Sequence, residues 1–500
     1  MEVQRDESVS LLKRYPKESA AITLLLMMKL AIVILLPVTG DEAYFVKWGD
    51  HLASGYYDHP PMVGWLIFLM NFIARDIVVY RMFSFFTSLV LAYLIYLFAK
   101  ENLPRKRAEY TALIFLASPV DLLMSLFTND IPLVLFGTVG AYLFYLSLER
   151  EKWARYAFGA GVFLGAAFLS KYFAAFLMLS LAGFAFVSYG KRVWRTVVLS
   201  AAAVLPFVAQ NLYFNYMHCW NNIMFNFFSR PKSAFDPKMV GVFVAITVYL
   251  FTPWGLWMLR KAEFNSGKIR GLIVSVLGLA FTVFFIVSLK NEVGLHWFLL
   301  FLPYMYLLFA YLDEERQHRL FRYNFIFAAV HGAVLVTILL LPLSLFEKNR
   351  SYASIVYAVS PEAICKRISH YDDDTLFTMG YTSAAMLSYA CDREIKMLFN
   401  TSKYGRMDDV LTDAGKLDGR DITIFRHKPI AKEKLLKACE SVEVESFEVR
   451  KATFYLATCR RFSYKKYKRH FIEPLFRSYY NIPSWLPQGK CYMKEKYQER

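Results

Sequence analysis

Four carboxylates and two histidines crowd into nineteen positions near the start of the chain: Asp41, Glu42, Asp50, His51, Asp58 and His59. They lie in the stretch GDEAYFVKWGDHLASGYYDHPPMVGW (residues 40–65), interleaved with Tyr44, Phe45, Trp48, Tyr56 and Tyr57. Carboxylates beside potential cations suit one kind of chemistry well. An acid takes the proton from a hydroxyl nucleophile, while Lys, Arg, protonated His or a metal ion stabilises a phosphate leaving group. A lone acid at a helix start is usually a cap, but four acids in one loop exceed what capping requires.

The element before this loop is an apolar run long enough to cross a bilayer. Of the 500 residues 56% are hydrophobic and the mean hydropathy is +0.32, so the solvent for much of the chain must be lipid. Bilayer-length apolar segments occur at about 20–38, 81–99, 110–127, 131–149, 155–170, 172–189, 196–213, 239–259, 271–289, 297–312 and 324–346, eleven in all. With residues 1–19 inside, alternate connections carry 21 Lys and Arg against 8 on the other side. That bias places the N-terminus in the cytoplasm and the acidic loop (39–80) outside. It also accounts for the net charge of +17 without a nucleic-acid partner. The apolar stretch MVGWLIFLMNFI (62–73) is too short to span and reads as an interfacial helix.

Further candidates lie on the same outer side. TND opens a span with Asp130, LSKYF holds Lys171, and CWNNIMFNFFSRPK ends with Arg230 and Lys232. LKNEVGLHW adds Lys290, Glu292 and His296. These connections could converge with the first loop on one cavity. Each also has a plainer reading: Asp130 before Ile-Pro suits a helix cap, Lys171 could snorkel to the interface, and His296-Trp297 could be an interfacial anchor. Lys29, in the middle of the first span, could snorkel or face a cavity.

After about Phe346 the composition changes. DTLFTMG, EIKMLFN and DITIFRH read as strands, with YTSAAMLSYAC and AKEKLLKACESV as helices, giving a small α/β domain over 347–500. An odd number of spans puts it on the outer side. Its end, 464–500, is basic and Tyr-rich. Five of the six cysteines fall after residue 360, which permits a disulfide whose pairing the sequence leaves open. No C-x-x-C spacing suggests structural zinc.

The strings GDEAYF and HLASGYYDHPPMVGWL, then TND, FLSKY, WNN with FNFFSR, and E with HW, follow in order over residues 40–303. In this the chain resembles the polyprenyl-phosphate-sugar-dependent glycosyltransferases of the membrane-embedded C-type fold. These include protein mannosyltransferases and the bacterial transferases that add aminoarabinose or galacturonic acid to lipid A or core sugars. The resemblance implies a polytopic α-helical membrane protein of about eleven spans, with residues 1–346 as the transferase domain and an extracytoplasmic α/β domain behind it. It implies Asp41, Glu42, Asp58 and Asp130 as catalytic, with Asp41 as base. His59, Lys171 and Arg230 would bind the donor phosphate, and Tyr57, Glu292 and His296 would touch substrate. Asp41, Asp58 and His59 could also hold a divalent cation.

The implied activity is inverting transfer of a sugar from a polyprenyl-phosphate donor to a hydroxyl of a lipid, glycan or protein acceptor. The expected location is a bacterial cytoplasmic membrane, with the active face outside. A transporter or flippase of a lipid-linked sugar would use the same charges along a pathway. It would also be expected to carry polar residues mid-span on several helices, whereas here they collect at one face. A receptor-like scaffold leaves the first-loop acids unexplained.

Overall fold

The computed structural model describes residues 11–229, 234–264, 267–400 and 406–498. The chain divides into two compact units. One comprises Met1–Leu36, Asp76–Val208 and Lys232–Leu340; the other comprises Pro37–Arg75, Ala209–Pro231 and Leu341–Arg500. The acidic loop thus clusters with the C-terminal region rather than with the spans that flank it in sequence.

The first unit is helical. Among the described residues six helices are long and apolar enough to cross a membrane: Pro16–Leu35, Ile77–Lys100, Asp130–Glu149, Trp194–Met217, Lys268–Ser288 and Glu314–Leu340. Their 20–27 residues match the ~30 Å hydrocarbon thickness at about 1.5 Å of rise per residue. Pro237–Phe251 and Pro253–Leu259 form a further candidate, bent by 77°. The bend follows from Pro253, which has no N–H to continue the ladder.

The remaining segments expected to span are shorter or broken. The stretch at 110–127 divides into Arg105–Leu116 and Pro119–Leu123, because Ser118 caps a new helix with Pro119 at its first position. Trp153–Ser170 has 18 residues and Ala174–Tyr189 has 16. Residues 295–311 pass from a 3₁₀ turn through one short α-helix to another 3₁₀ turn. Two buried cations find polar partners inside this unit. Lys29 bonds Ser88 and lies 2.9 Å from Asp121, and Arg81 donates to the carbonyls of Val33 and Leu36 that the first span leaves open at its end.

The second unit carries a five-stranded mixed sheet in the order β2-β1-β3-β5-β4. Its strands are β1 Leu376–Thr378, β2 Lys396–Met397, β3 Ile422–Arg426, β4 Ser441–Val449 and β5 Ala452–Arg460. β1 runs parallel to β2 and β3, while β5 is antiparallel to β3 and β4. Side chains alternate across the sheet into two cores. Phe377, Ile424 and Ala457 join one, and Leu376, Phe425 and Leu456 join the other. Burial on both faces of β1 and β3 suits their apolar sequences, whereas β4, largely exposed, alternates polar with apolar residues.

The β4–β5 hairpin is where the sequence reading departs from the structure. The helix expected through AKEKLLKACESV stops at Leu436, and SVEVESFEV continues as a strand. All six cysteines are paired, as Cys219–Cys491, Cys365–Cys391 and Cys439–Cys459. All three bridges lie in this unit.

Candidate functional site

In the second unit the acidic loop folds as two short helices, Gly40–Asp50 and Met62–Met70. They pack closely: a Cβ on Gly49 would meet the Ile67 side chain at 2.3 Å, so only glycine fits there. The nine-residue second helix, too short to span, leaves Phe68 and Leu69 exposed.

The first helix begins with a capping box. Thr39 Oγ1 accepts from Glu42 N at 3.3 Å, and Glu42 Oε2 accepts from Thr39 N at 3.2 Å and from Thr39 Oγ1 at 3.0 Å. Glu42 is buried in this role, whereas its neighbour Asp41 is exposed at the same helix end. Successive helical residues project about 100° apart, which sends the two carboxylates of one sequence pair to different surroundings.

The opposite end of the helix is bolted down by charge. Lys47 Nζ lies 2.7 Å from both Asp408 and Glu394 and donates to Ile395 O at 3.1 Å. His51 Nε2 lies 2.8 Å from Glu394, and Arg75 bridges Asp50 at 2.9 Å and Asp392 at 3.0 Å. Burial alone would raise the Glu394 pKa. The His51 hydrogen bond and the Lys47 charge outweigh it and pull the carboxyl down to about 2. Asp50 and His51 therefore serve as anchors of the helix.

Asp58 meets a residue that sequence reasoning missed. The fully buried Arg406 lies 3.3 Å from Asp58 Oδ2. Its guanidinium sits 3.5 Å from the Tyr381 ring centroid, 4.9 Å from Tyr44 and 5.7 Å from Tyr57. Burial works against the charge on Arg406, but Tyr44 and Asp58 reverse the balance and its pKa is raised. The backbone around Asp58 is held as well: Asn222 Nδ2 donates to Tyr57 O at 2.7 Å and Asn226 Nδ2 to Asp58 O at 3.2 Å. Tyr57 is buried against Phe225, and the His59 ring is half-buried near Phe45 and Trp48.

In the first unit Asp130 opens its helix and Lys171 closes another. Their side chains meet at 2.7 Å, both buried. Two residues singled out separately in the sequence thus form one ion pair. Glu292 and His296 are exposed. Arg230 and Lys232 lie outside the described residues. Among the described residues no three His, Cys, Asp or Glu side chains come together as a metal set. Asp41, Asp58 and His59 are therefore not gathered as expected, and a guanidinium supplies the positive charge beside Asp58.

Part of this was open to a closer reading. Thr39-x-x-Glu42 is a capping-box signature, and helical spacing sets Lys47, Asp50 and His51 on one flank, away from Asp41. Nothing local marks Arg406, which only the tertiary fold brings to Asp58.

Residues 58–214 match the family model described as dolichyl-phosphate-mannose-protein mannosyltransferase. A lipid A galacturonosyltransferase, RgtD of Rhizobium johnstonii, is 26% identical over 181 residues. The match covers 36% of this chain and 38% of that relative, so the chain aligns with well under half of its length. Similarity of fold extends further. ArnT from Cupriavidus metallidurans superposes with a TM-score of 0.62 in its apo state, at 13% identity, covering 88% of this chain and 97% of that one. The same protein bound to undecaprenyl phosphate gives 0.62 at 14% identity, over 90% and 98% of the two chains. Along most of its length the chain therefore shares the fold of ArnT.

Proposed function

We propose that the protein is an inverting glycosyltransferase that moves a sugar from a polyprenyl-phosphate donor to a hydroxyl of an envelope lipid, glycan or protein, on the extracytoplasmic face of a bacterial cytoplasmic membrane. The observation that carries the reading is the division of labour at the first helix: Glu42 is spent in the cap, and Asp41 stands exposed beside it. An exposed carboxylate at that point can take the acceptor's proton as its oxygen attacks the anomeric carbon. The bond from that carbon to the phosphate oxygen breaks, and its electron pair leaves on polyprenyl phosphate. Lys171 would meet the phosphate charge. Asp58, held by Arg406, would orient the acceptor.

Location is argued from two independent features. The basic residues favour an N-terminus inside, and three disulfides in the second unit suit an oxidising compartment. Both fit eleven crossings, obtained when the broken and shorter helices are counted with the long ones. A carrier for a lipid-linked sugar finds no support among the resemblances.

The test compares neighbours in purified protein in nanodiscs supplied with a polyprenyl-phosphate sugar. Asp41→Asn should fold and bind donor yet lose transfer by at least about a hundredfold. Glu42→Gln, which keeps a capping acceptor, should retain most of its turnover. A dead Glu42→Gln beside an active Asp41→Asn would move the base to Glu42. Full activity in both, and in Asp58→Asn, would remove the catalytic reading of the loop. Mass analysis of envelope lipids and glycans with and without the protein would identify the sugar and acceptor.

A further inference from the structure

The basic C-terminal tail folds around a cavity of about 650 Å³, within the second unit. That volume falls in the range of small-molecule sites, roughly 300–1,000 Å³. Lys468, Arg477 and Lys494 line it against one carboxylate, Glu473, so its balance is cationic. Phe476, Tyr480 and Tyr497 supply aromatic surface. The Phe476 and Tyr480 rings stack at 4.8 Å, making a flat apolar wall next to the charges.

The tail that forms the cavity is fixed to the rest of the unit. Cys491 is bridged to Cys219, and Trp220 Nε1 donates to Pro487 O at 2.7 Å. Leu486 of the tail packs with Trp220 and Met224, and the adjoining Phe225 packs on Tyr57, the residue before Asp58. The tail that forms the cavity thus shares a support with the loop that carries the acidic residues.

We propose that this cavity is a binding site for an anionic saccharide, one bearing phosphate or carboxylate groups. The charges select an anion, and Arg477 offers the planar fork that matches phosphate or carboxylate oxygens. The aromatic wall selects a ligand with an apolar face, which a pyranose ring presents through its C–H bonds. A bare inorganic anion would leave that wall unused, and a neutral sugar would leave the cations unused. The choice of a saccharide, as acceptor, rests on the glycosyl-transfer reading.

The experiment measures binding apart from turnover, on the Asp41→Asn protein in neutral-lipid nanodiscs. The probes are galacturonic acid, glucose 6-phosphate, glucose and inorganic phosphate. The two anionic sugars should bind at least about tenfold more tightly than glucose or phosphate, and Arg477→Gln/Lys494→Gln should abolish the difference. Phe476→Ala should weaken the sugars but leave phosphate unchanged. Inorganic phosphate binding as well as glucose 6-phosphate would overturn the proposal in favour of a simple anion site. Loss of sugar binding in nanodiscs rich in phosphatidylglycerol would overturn it in favour of a lipid headgroup. Equal binding of all four probes, or unaltered binding in the double variant, would overturn it outright. If transfer by the wild type persists while these probes fail, only the cavity assignment is lost. If transfer is absent while the anionic sugars bind, the saccharide site stands without its role as acceptor site.

Discussion

The Asp130–Lys171 pair and the Asp58–Arg406 pair put the same two charges together by different routes. Asp130 and Lys171 stand 41 residues apart at the ends of successive apolar helices, and meet at 2.7 Å. Arg406 reaches Asp58 from the far part of the chain, and three tyrosine rings enclose it. An ammonium is a compact point charge with three donors, able to serve a carboxylate and a phosphate together. A guanidinium stacked on rings is a fixed piece of the scaffold. On the proposed reading the first pair would meet the donor phosphate, while the second holds a loop.

The sharpest way to break this contrast is to remove the fixed cation. Arg406→Met would leave Asp58 buried without its partner, and should cost about 3–5 kcal/mol of stability, read as unfolding in detergent. An Arg406 variant as stable as wild type would place the two pairs in one class. Lys171→Met should act less on folding, because Asp130 keeps a helix N-terminus behind it. Its main effect should be on donor KM, raised roughly tenfold, or about 1.4 kcal/mol of lost donor binding. Unchanged KM and kcat would return Lys171 to a snorkelling side chain.

Acid tests the anchor of the loop. Glu394 titrates near 2 in the folded chain, below its ordinary 4.5, so the folded state holds its proton less tightly than the unfolded one. The stabilisation is fully present above 4.5 and is lost as pH falls through about 2. The carboxylate is partly exposed, so after screening the effect should be on the order of 1–2 kcal/mol. Glu394→Gln should be less stable than wild type at neutral pH and converge with it near pH 2; parallel curves would remove the ion cluster from the account. The smallest effect is expected at the cap. Thr39→Ala should cost about 1 kcal/mol, with transfer reduced only as far as Asp41 is displaced. A far larger loss of transfer at unchanged stability would mean that Thr39 itself meets substrate.

The same contrast explains what the sequence could convey. Lipid forces apolar runs into helices and charges to their ends, so Asp130 and Lys171 could be placed on one face from hydropathy alone. The Thr39–Glu42 cap is spelled out locally, in the Thr-x-x-Glu spacing. The alternation in VEVESFEV marks a strand, but the helix-like KEKLLKACE before it carried the reading past the true boundary. Arg406 and the three disulfide pairings depend on contacts between distant segments, and no local pattern encodes them.

The Cys219–Cys491 bridge spans 272 residues, and this sets a problem of timing. Its first thiol is made long before its second. At about 5–20 residues per second of synthesis, the interval is roughly a quarter of a minute to a minute. Disulfide formation takes seconds to hours, so four other cysteines become available to Cys219 before its proper partner exists. Cys365 and Cys391 are the earliest of these, and a bond to either would leave the tail untethered. Correct maturation of this membrane protein should therefore depend on an isomerase able to reopen such bonds, and in its absence the chain should accumulate inserted, full-length and miscrosslinked.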